Sequence, residues 1–327
     1  MLIPDQVYNS IQRDLLRKHF DAADTVFLER ELTQLRAKIY SVEFPEPLAR
    51  KFLPKATDIA ASAMSYTYKV LKPVGRADVV ANGAHDLPRL DVVASEVLGT
   101  VKTVGGSYGW DINELREAAR VGVPLSDMKA RNARDLIERA IDEVLAFGDL
   151  SVSEGKTGND LLGISNNTDI SGLGITAGQF WFAGSPPTSA SILAELVSFI
   201  TNIRTTSKQR WNANTLLLPT AHYEYIKNTP YSTYSGDSIL TVLKKNNEAL
   251  KVVEPWYRLD TAGAANKPRG IAYQMDPMTA EAIIPQEFQQ LPPEARGLEF
   301  IINCTARAGG VKVYQPTAFK YADFATS

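Results

Sequence analysis

The chain has one cysteine and three histidines among its 327 residues. A lone Cys304 excludes a disulfide framework within the chain and fits a reducing compartment. It lies in the apolar run Phe300-Ile301-Ile302-Asn303-Cys304, where a small buried hydrophobe is expected rather than a nucleophile. His19, His85 and His222 are far apart, and none has a histidine three to five residues away, so metal-ligand spacing is missing. No cofactor is implied. No apolar run approaches the roughly 18 residues of a membrane helix. Met1-Leu2-Ile3-Pro4-Asp5 has neither a basic nor an apolar leader region, so no signal peptide is expected. Charge of one sign is also missing: 35 basic against 37 acidic residues give a net charge of -2. That balance excludes a global basic field for nucleic acid or membrane. What remains, 44% hydrophobic and 22% charged, is ordinary for a globular chain of roughly two domains.

The stretch from Ser65 to Trp110 is the most informative. Ser65-Tyr66-Thr67-Tyr68-Lys69-Val70 alternates, with Tyr66, Tyr68 and Val70 on one face. A second β-rich run spans Glu96 to Val104. Between them Pro73, Gly75, Asn82, Gly83 and Pro88 punctuate a long connection with no helical period. Compact domains rarely hold a connection of that length without a use for it. The two strand-like ends point to a projecting β-arm that packs on something outside its own domain, and hence to a protein that works as an assembly.

Elsewhere helices and strands mix without a regular βαβ alternation, so the fold class is α+β. Leu28, Leu32, Leu35, Ile39 and Val42 step by four, three, four and three, which predicts a helix over 21–42 ended by Pro45 and Pro47. Asp111 with Glu114 resembles a capping box for a short helix that stops at Gly122. A longer helix follows from Ser126 to Phe147 with Gly148 as its C-terminal cap, its stripe being Ala133, Leu136, Ile137, Ala140, Ile141, Val144 and Leu145. Further helices are expected at 189–207, after Pro219, and at 238–245. Strands are expected at Thr215–Leu218, Val252-Val253, Ile271–Tyr273 and Leu298–Ala306. Gly309-Gly310 then reads as a tight turn folding Val311–Tyr314 back as a hairpin.

Two motifs tempt. Gly155-Lys156-Thr157 resembles the end of a phosphate loop, but Leu150 stands where its first glycine belongs, so no cradle of amides can form. Gly105-Gly106-Ser107-Tyr108-Gly109 matches a nucleophile elbow after a strand. A serine hydrolase using Ser107 would draw on His222 with Asp160 or Asp169. The helix signal waits until Asp111, however, and the bland reading is a glycine-rich turn where the arm rejoins the body. Arg13, Arg17 and Lys18 form a small basic cluster whose default is a solvated helix face.

Several segments, in their order and spacing, resemble a known family. They are Val42-Glu43-Phe44-Pro45 with Phe52-Leu53-Pro54, Gly75-Arg76-Ala77 and Asp86-Leu87-Pro88, Glu114–Ala118 with Ala130–Gly148, Leu161-Leu162-Gly163-Ile164-Ser165-Asn166-Asn167, and Ala308–Val311 with Pro316-Thr317-Ala318. The chain resembles the major capsid proteins of tailed bacteriophages, the Hong Kong 97-type fold shared with encapsulin nanocompartments. The resemblance implies an N-terminal arm and helix at 1–54, an extended loop with its base strands at 55–110, and a spine helix of a peripheral domain at 111–149. An axial domain at 150–275 and return strands at 276–327 complete it. It implies a non-enzymatic protein that forms pentamers and hexamers, self-assembles into an icosahedral shell around double-stranded DNA, and is built in the host bacterial cytoplasm into a virion. Scaffolding, portal or decoration proteins would be partners; an encapsulin-type shell is the alternative. Tyr66, Tyr68, Lys72, Arg76, Asp86 and Arg89 are the expected subunit-interface residues of the extended loop. Only about 40 residues precede the lead-in segment, so scaffolding is expected to be a separate protein.

Overall fold

The computed structural model describes residues 45–79, 89–121, 125–148, 161–173, 187–232 and 235–324. The chain divides after Pro45 into two units, and the description concerns the second, from Glu46 onward. The helix expected over 21–42, the Arg13, Arg17, Lys18 cluster, His19, His85, Asp86, Gly155-Lys156-Thr157 and Asp160 lie outside the described residues.

In chain order the elements are α1 (Ala49–Phe52), β1 (Ser65–Val74), β2 (Asp91–Thr100), β3 (Lys102–Asp111), α2 (Ile112–Val121), α3 (Leu125–Phe147) and β4 (Gly172–Leu173). Then come α4 (Ser189–Thr206), β5 (Thr215–Leu218), α5 (Thr220–Asn228), β6 (Pro230–Ser232), β7 (Ser235–Ser238), α6 (Ile239–Asn246), β8 (Val252–Pro255) and β9 (Arg269–Tyr273). Last are β10 (Ala280–Ala282), β11 (Gln286–Gln290), β12 (Glu294–Arg296), β13 (Glu299–Ala308), β14 (Val311–Val313) and β15 (Phe319–Asp323).

The central sheet has the order β4-β15-β9-β5-β8 and separates two hydrophobic cores. Because side chains alternate across a strand, Leu217, Ile271, Tyr273, Phe319 and Tyr321 point into one core, while Leu216, Leu218, Ala272 and Ala322 point into the other. The apolar run Leu216–Leu218 is what a strand covered on both faces requires, and all four residues of β5 are buried. Helices α4, α5 and α6 fill the second core. Helix α3 and the sheet of β11, β13, β12 and β3 fill the first.

Helix α3 buries Ile137, Ile141, Leu145 and Ala146. Leu136, expected in that stripe, is 48% exposed. Residues one apart on a helix point about 100° apart, so when Ile137 faces the core its neighbour need not. Asp142 is also buried, because it ties three elements together. Its carboxylate accepts from Ala49 N at 2.7 Å, capping α1 whose own preceding residue Leu48 offers no side-chain cap. It also pairs with Arg258 Nε at 2.5 Å. Asp142→Ala would strand a mostly buried guanidinium and an amide, so it is expected to cost about 3–5 kcal/mol. Urea denaturation checks this; a loss under about 1 kcal/mol would mean the pair contributes little.

The motif Leu161–Asn167 acquires a physical meaning at the end of α3. A helix leaves its last carbonyls unpaired. Here Ile164 N, Ser165 N and the Asn166 side-chain amide donate to the carbonyls of Leu145, Ala146 and Phe147 in turn. The two backbones lie so close that a Cβ on Gly163 would sit 2.3 Å from the Ala146 oxygen, and one on Gly148 (φ 71°) only 1.9 Å from the Leu161 oxygen.

Three expectations fail. Val311–Val313 does not fold back on β13; β14 pairs with β10. Gly309 N donates to the Ile283 carbonyl and Ile283 N donates to the Gly310 carbonyl, so the glycines route the chain across to residues just after β10. The run Glu96–Val104 is the end of one strand and the start of another, broken at buried Val101. Gly105–Gly109 is no turn: it lies within ten-residue β3, with Ser107 opposite Asn303 of β13.

Candidate assembly interface

Strands β1 and β2 form a separate two-stranded antiparallel ribbon with every residue from Ser65 to Val74 paired, Ser65 with Thr100 and Val74 with Asp91. Facing pairs share a face, so Tyr66/Gly99, Tyr68/Val97, Val70/Ser95, Lys72/Val93 and Val74/Asp91 form one side. Thr67/Leu98, Lys69/Glu96, Leu71/Ala94 and Pro73/Val92 form the other.

The base of the ribbon is fixed to its own chain. The Tyr66 ring lies across Gly99, where a Cβ would come within 2.2 Å of it, and packs on Ala56, Val101 and Ile283. Burial, then the nearby Tyr68, push its hydroxyl well above the ordinary tyrosine range. Tyr68 meets Tyr314 edge-on at 5.1 Å between centroids, and Lys312 Nζ stands 5.3 Å over its ring. Tyr314 in turn donates to Glu281 Oε2 at 3.0 Å.

Past this base the ribbon leaves the body. Leu71 is 64% exposed, Val92 56% and Leu98 54% on one face; Val74 is 52% and Val93 53% exposed on the other. Gly75 (φ 125°) closes the described end against the Arg89 carbonyl. Of the expected interface residues, Lys72, Arg76 and Arg89 are exposed on this arm, and Arg76 pairs with Asp78 at 2.7 Å. Tyr66 and Tyr68 contact their own body at the base of the arm. The exposed aliphatics were not singled out from the sequence. The apolar run Val92-Val93-Ala94 in a charged, turn-rich stretch is the signal that marks them.

The hydrolase geometry does not form. Ser107 sits mid-strand, and the next helix starts at Ile112. His222 lies on α5, buried in the other core's neighbourhood against Phe324 at 4.2 Å. Asp169 is exposed on the loop after α3. Burial lowers the His222 imidazole to about 4. Its folded value lies below its unfolded one, so the stability it adds is present above about pH 6.5 and is lost as pH falls toward 4. The loss is expected to approach 3 kcal/mol at pH 4, and His222→Gln should flatten that part of a denaturation series.

The ten-residue ribbon thus carries aliphatic side chains bare on both faces. The major capsid protein family matches residues 75–324. The chain belongs to the major capsid protein family. Among solved structures, the capsid of Myoviridae phage XM1 superposes with a TM-score of 0.77 at 18% identity, covering 90% of this chain and 97% of that one. The capsid of a native GTA particle gives 0.62 at 12% identity, with 90% and 95% covered. A virus-like particle from Pyrococcus furiosus gives 0.52 at 16% identity, with 84% and 91% covered. No curated protein sequence matches the chain. These likenesses establish the fold as the Hong Kong 97-type capsid architecture, in the mixed α and β class expected. This major capsid protein is therefore a structural component of an icosahedral shell, the capsid of a virion, and its copies associate with one another. Among the described residues no helix is long and apolar enough to cross a membrane.

Proposed function

We propose that this capsid protein forms pentamers and hexamers that close around double-stranded DNA in the cytoplasm of a bacterial host, with the β1–β2 ribbon laid on a neighbouring subunit. Exposed aliphatics on both faces of that ribbon carry the reading. A two-stranded ribbon is marginal in water by itself, and beyond its anchored base this one gains burial from another chain. In this reading Lys72, Arg76, Asp86 and Arg89 rim the contact, and Tyr66 and Tyr68 set the angle at which the ribbon leaves. The body around α3 serves as the peripheral domain. The body around α4, α5 and α6 serves as the axial domain, with β15 added to the 150–275 span because it pairs with β9. Scaffolding, portal and decoration proteins are the further partners.

Negative-stain imaging of concentrated purified protein tests this reading, and closed shells of uniform diameter are expected. A protein that stays monomeric at every concentration and salt would overturn it. Shells that co-purify with a tethered cargo enzyme would favour the nanocompartment. The shell holds its genome by enclosure, so the free subunit is expected to bind duplex DNA weakly, on the order of 10⁻⁴ M at physiological salt. Nanomolar affinity or preference for one sequence, read by fluorescence anisotropy, would point to a dedicated nucleic-acid-binding protein instead.

A further inference from the structure

Positive charge gathers at one end of the second core in a chain whose net charge is only -2. Arg204 closes α4, Lys208 and Arg210 follow in the next loop, Lys244 closes α6, and Lys251 precedes β8. All are exposed, and among the described residues none of these cations is ion-paired. Lys245, alongside, pairs with Asp237 at 2.6 Å.

Two hollows meet at Arg204. One, about 330 Å³, is lined by Arg204, Thr205, Lys208 and Gln209. The other, about 380 Å³, runs from Thr201 and Arg204 past Asn212 to Lys245, Asn246 and Asn247. Between them they form a trough floored by hydroxyls and amides and edged by Arg204, Lys208 and Lys245, with one carboxylate, Glu248, on the rim of the second hollow. Helix dipoles account for basic residues in the last turns of α4 and α6, where they offset the carbonyl ends. They do not account for Lys208, Arg210 or Lys251, which lie beyond those turns. Lys208 and Gln209 are also held at φ 51° and 66°, a costly backbone for residues other than glycine.

We propose that this trough holds the phosphate backbone of duplex DNA, giving the shell a weak, repeated contact with the polymer it encloses. The assignment rests on the enclosing-shell reading above and adds the residues that touch the cargo. Lysine, arginine, threonine and asparagine are the side chains that contact phosphate without reading sequence. A protein partner would want a buried aromatic or aliphatic anchor, and the hollows offer only Ile200, Ala213 and Ala249. One copy binds weakly, but many copies facing one long polymer bind it together.

The test uses the purified full chain and a fluorescent 20-base-pair duplex, with anisotropy followed across a salt series from low ionic strength. Arg204→Ala/Lys208→Ala removes two exposed cations that support no other described contact, so folding and shell formation should match wild type. Binding is expected to weaken, and the slope of log affinity against log salt to become shallower by about 1.8, two phosphate contacts. Unchanged affinity and slope would overturn the proposal. So would polyglutamate competing as well as DNA at equal charge, which would assign the trough to an acidic protein segment. Shells imaged from the same variant separate the two readings. Normal shells with lost binding support both, whereas absent shells in wild type and variant alike would sink the enclosing-shell reading itself.

Discussion

Deleting Pro73–Arg89 and closing the gap with a short glycine turn leaves a folded, soluble subunit that no longer forms shells. The described part of that segment, residues 73–79 and Arg89, is exposed throughout and buries nothing of its own body. The remaining base, Ser65–Lys72 paired with Val93–Thr100, keeps Tyr66 and Tyr68 in their sockets. The melting temperature should therefore stay within about 4 °C of wild type, the shift that roughly 1 kcal/mol brings in a domain of this order. Sedimentation should show only small species where wild type gives shells. Interfaces lose most of their energy when a few apolar anchors go, and the ribbon's Val74 is among those removed. A deletion variant that unfolds would mean the arm packs on its own domain. One that assembles normally would move the essential subunit contacts elsewhere.

The fold was legible in the sequence wherever local periodicity and burial agree. Helix α3 could be read because Ile137, Ile141 and Leu145 repeat at helical spacing and really are buried. Strand β5 could be read because a sheet covered on both faces needs an unbroken apolar run. The arm could be read as an arm, since ten paired positions lie at its two ends and turn residues lie between. What failed depends on partners distant in sequence. Gly309-Gly310 has the composition of a hairpin turn, yet the choice between β13 and β10 as partner is made by hydrogen bonds to Ile283. Gly105–Gly109 has the composition of an elbow, but pairing with all of β13 holds it extended. The glycines there also carry no side chain that would reveal a strand by alternation. Lys320 in β15 disguises a buried strand: it is only 6% exposed and donates to Ser171 Oγ. The within-chain sockets of Tyr66 and Tyr68 were not legible either, because Tyr314, Lys312 and Ile283 come from the far end of the chain.

Ile141→Asp is the substitution expected to do most harm to the subunit itself. Ile141 is 0% exposed in the C-terminal half of α3, packed with Ile137 and Leu145 in the first core. Removing its side chain to alanine alone should cost about 2–5 kcal/mol from lost burial and the cavity left behind. Aspartate adds an unpaired carboxylate beside Asp142, whose own charge already occupies Arg258 and Ala49 N. A second carboxylate in that apolar core has no cation of its own, is repelled by Asp142, and cannot reach water without opening the helix from the sheet. The sum rivals the whole stability of an ordinary domain, about 5–15 kcal/mol, so the variant should be found in the insoluble fraction. Leu136→Asp is the matched control. It places the same charge five residues earlier on the same helix, at a position 48% exposed, and should give soluble protein with a near-normal melt. If both variants are soluble and melt alike, the face of α3 taken to be buried is open to solvent. If both are insoluble, Leu136 is covered in the subunit after all, and the narrow stripe assigned to α3 is wrong.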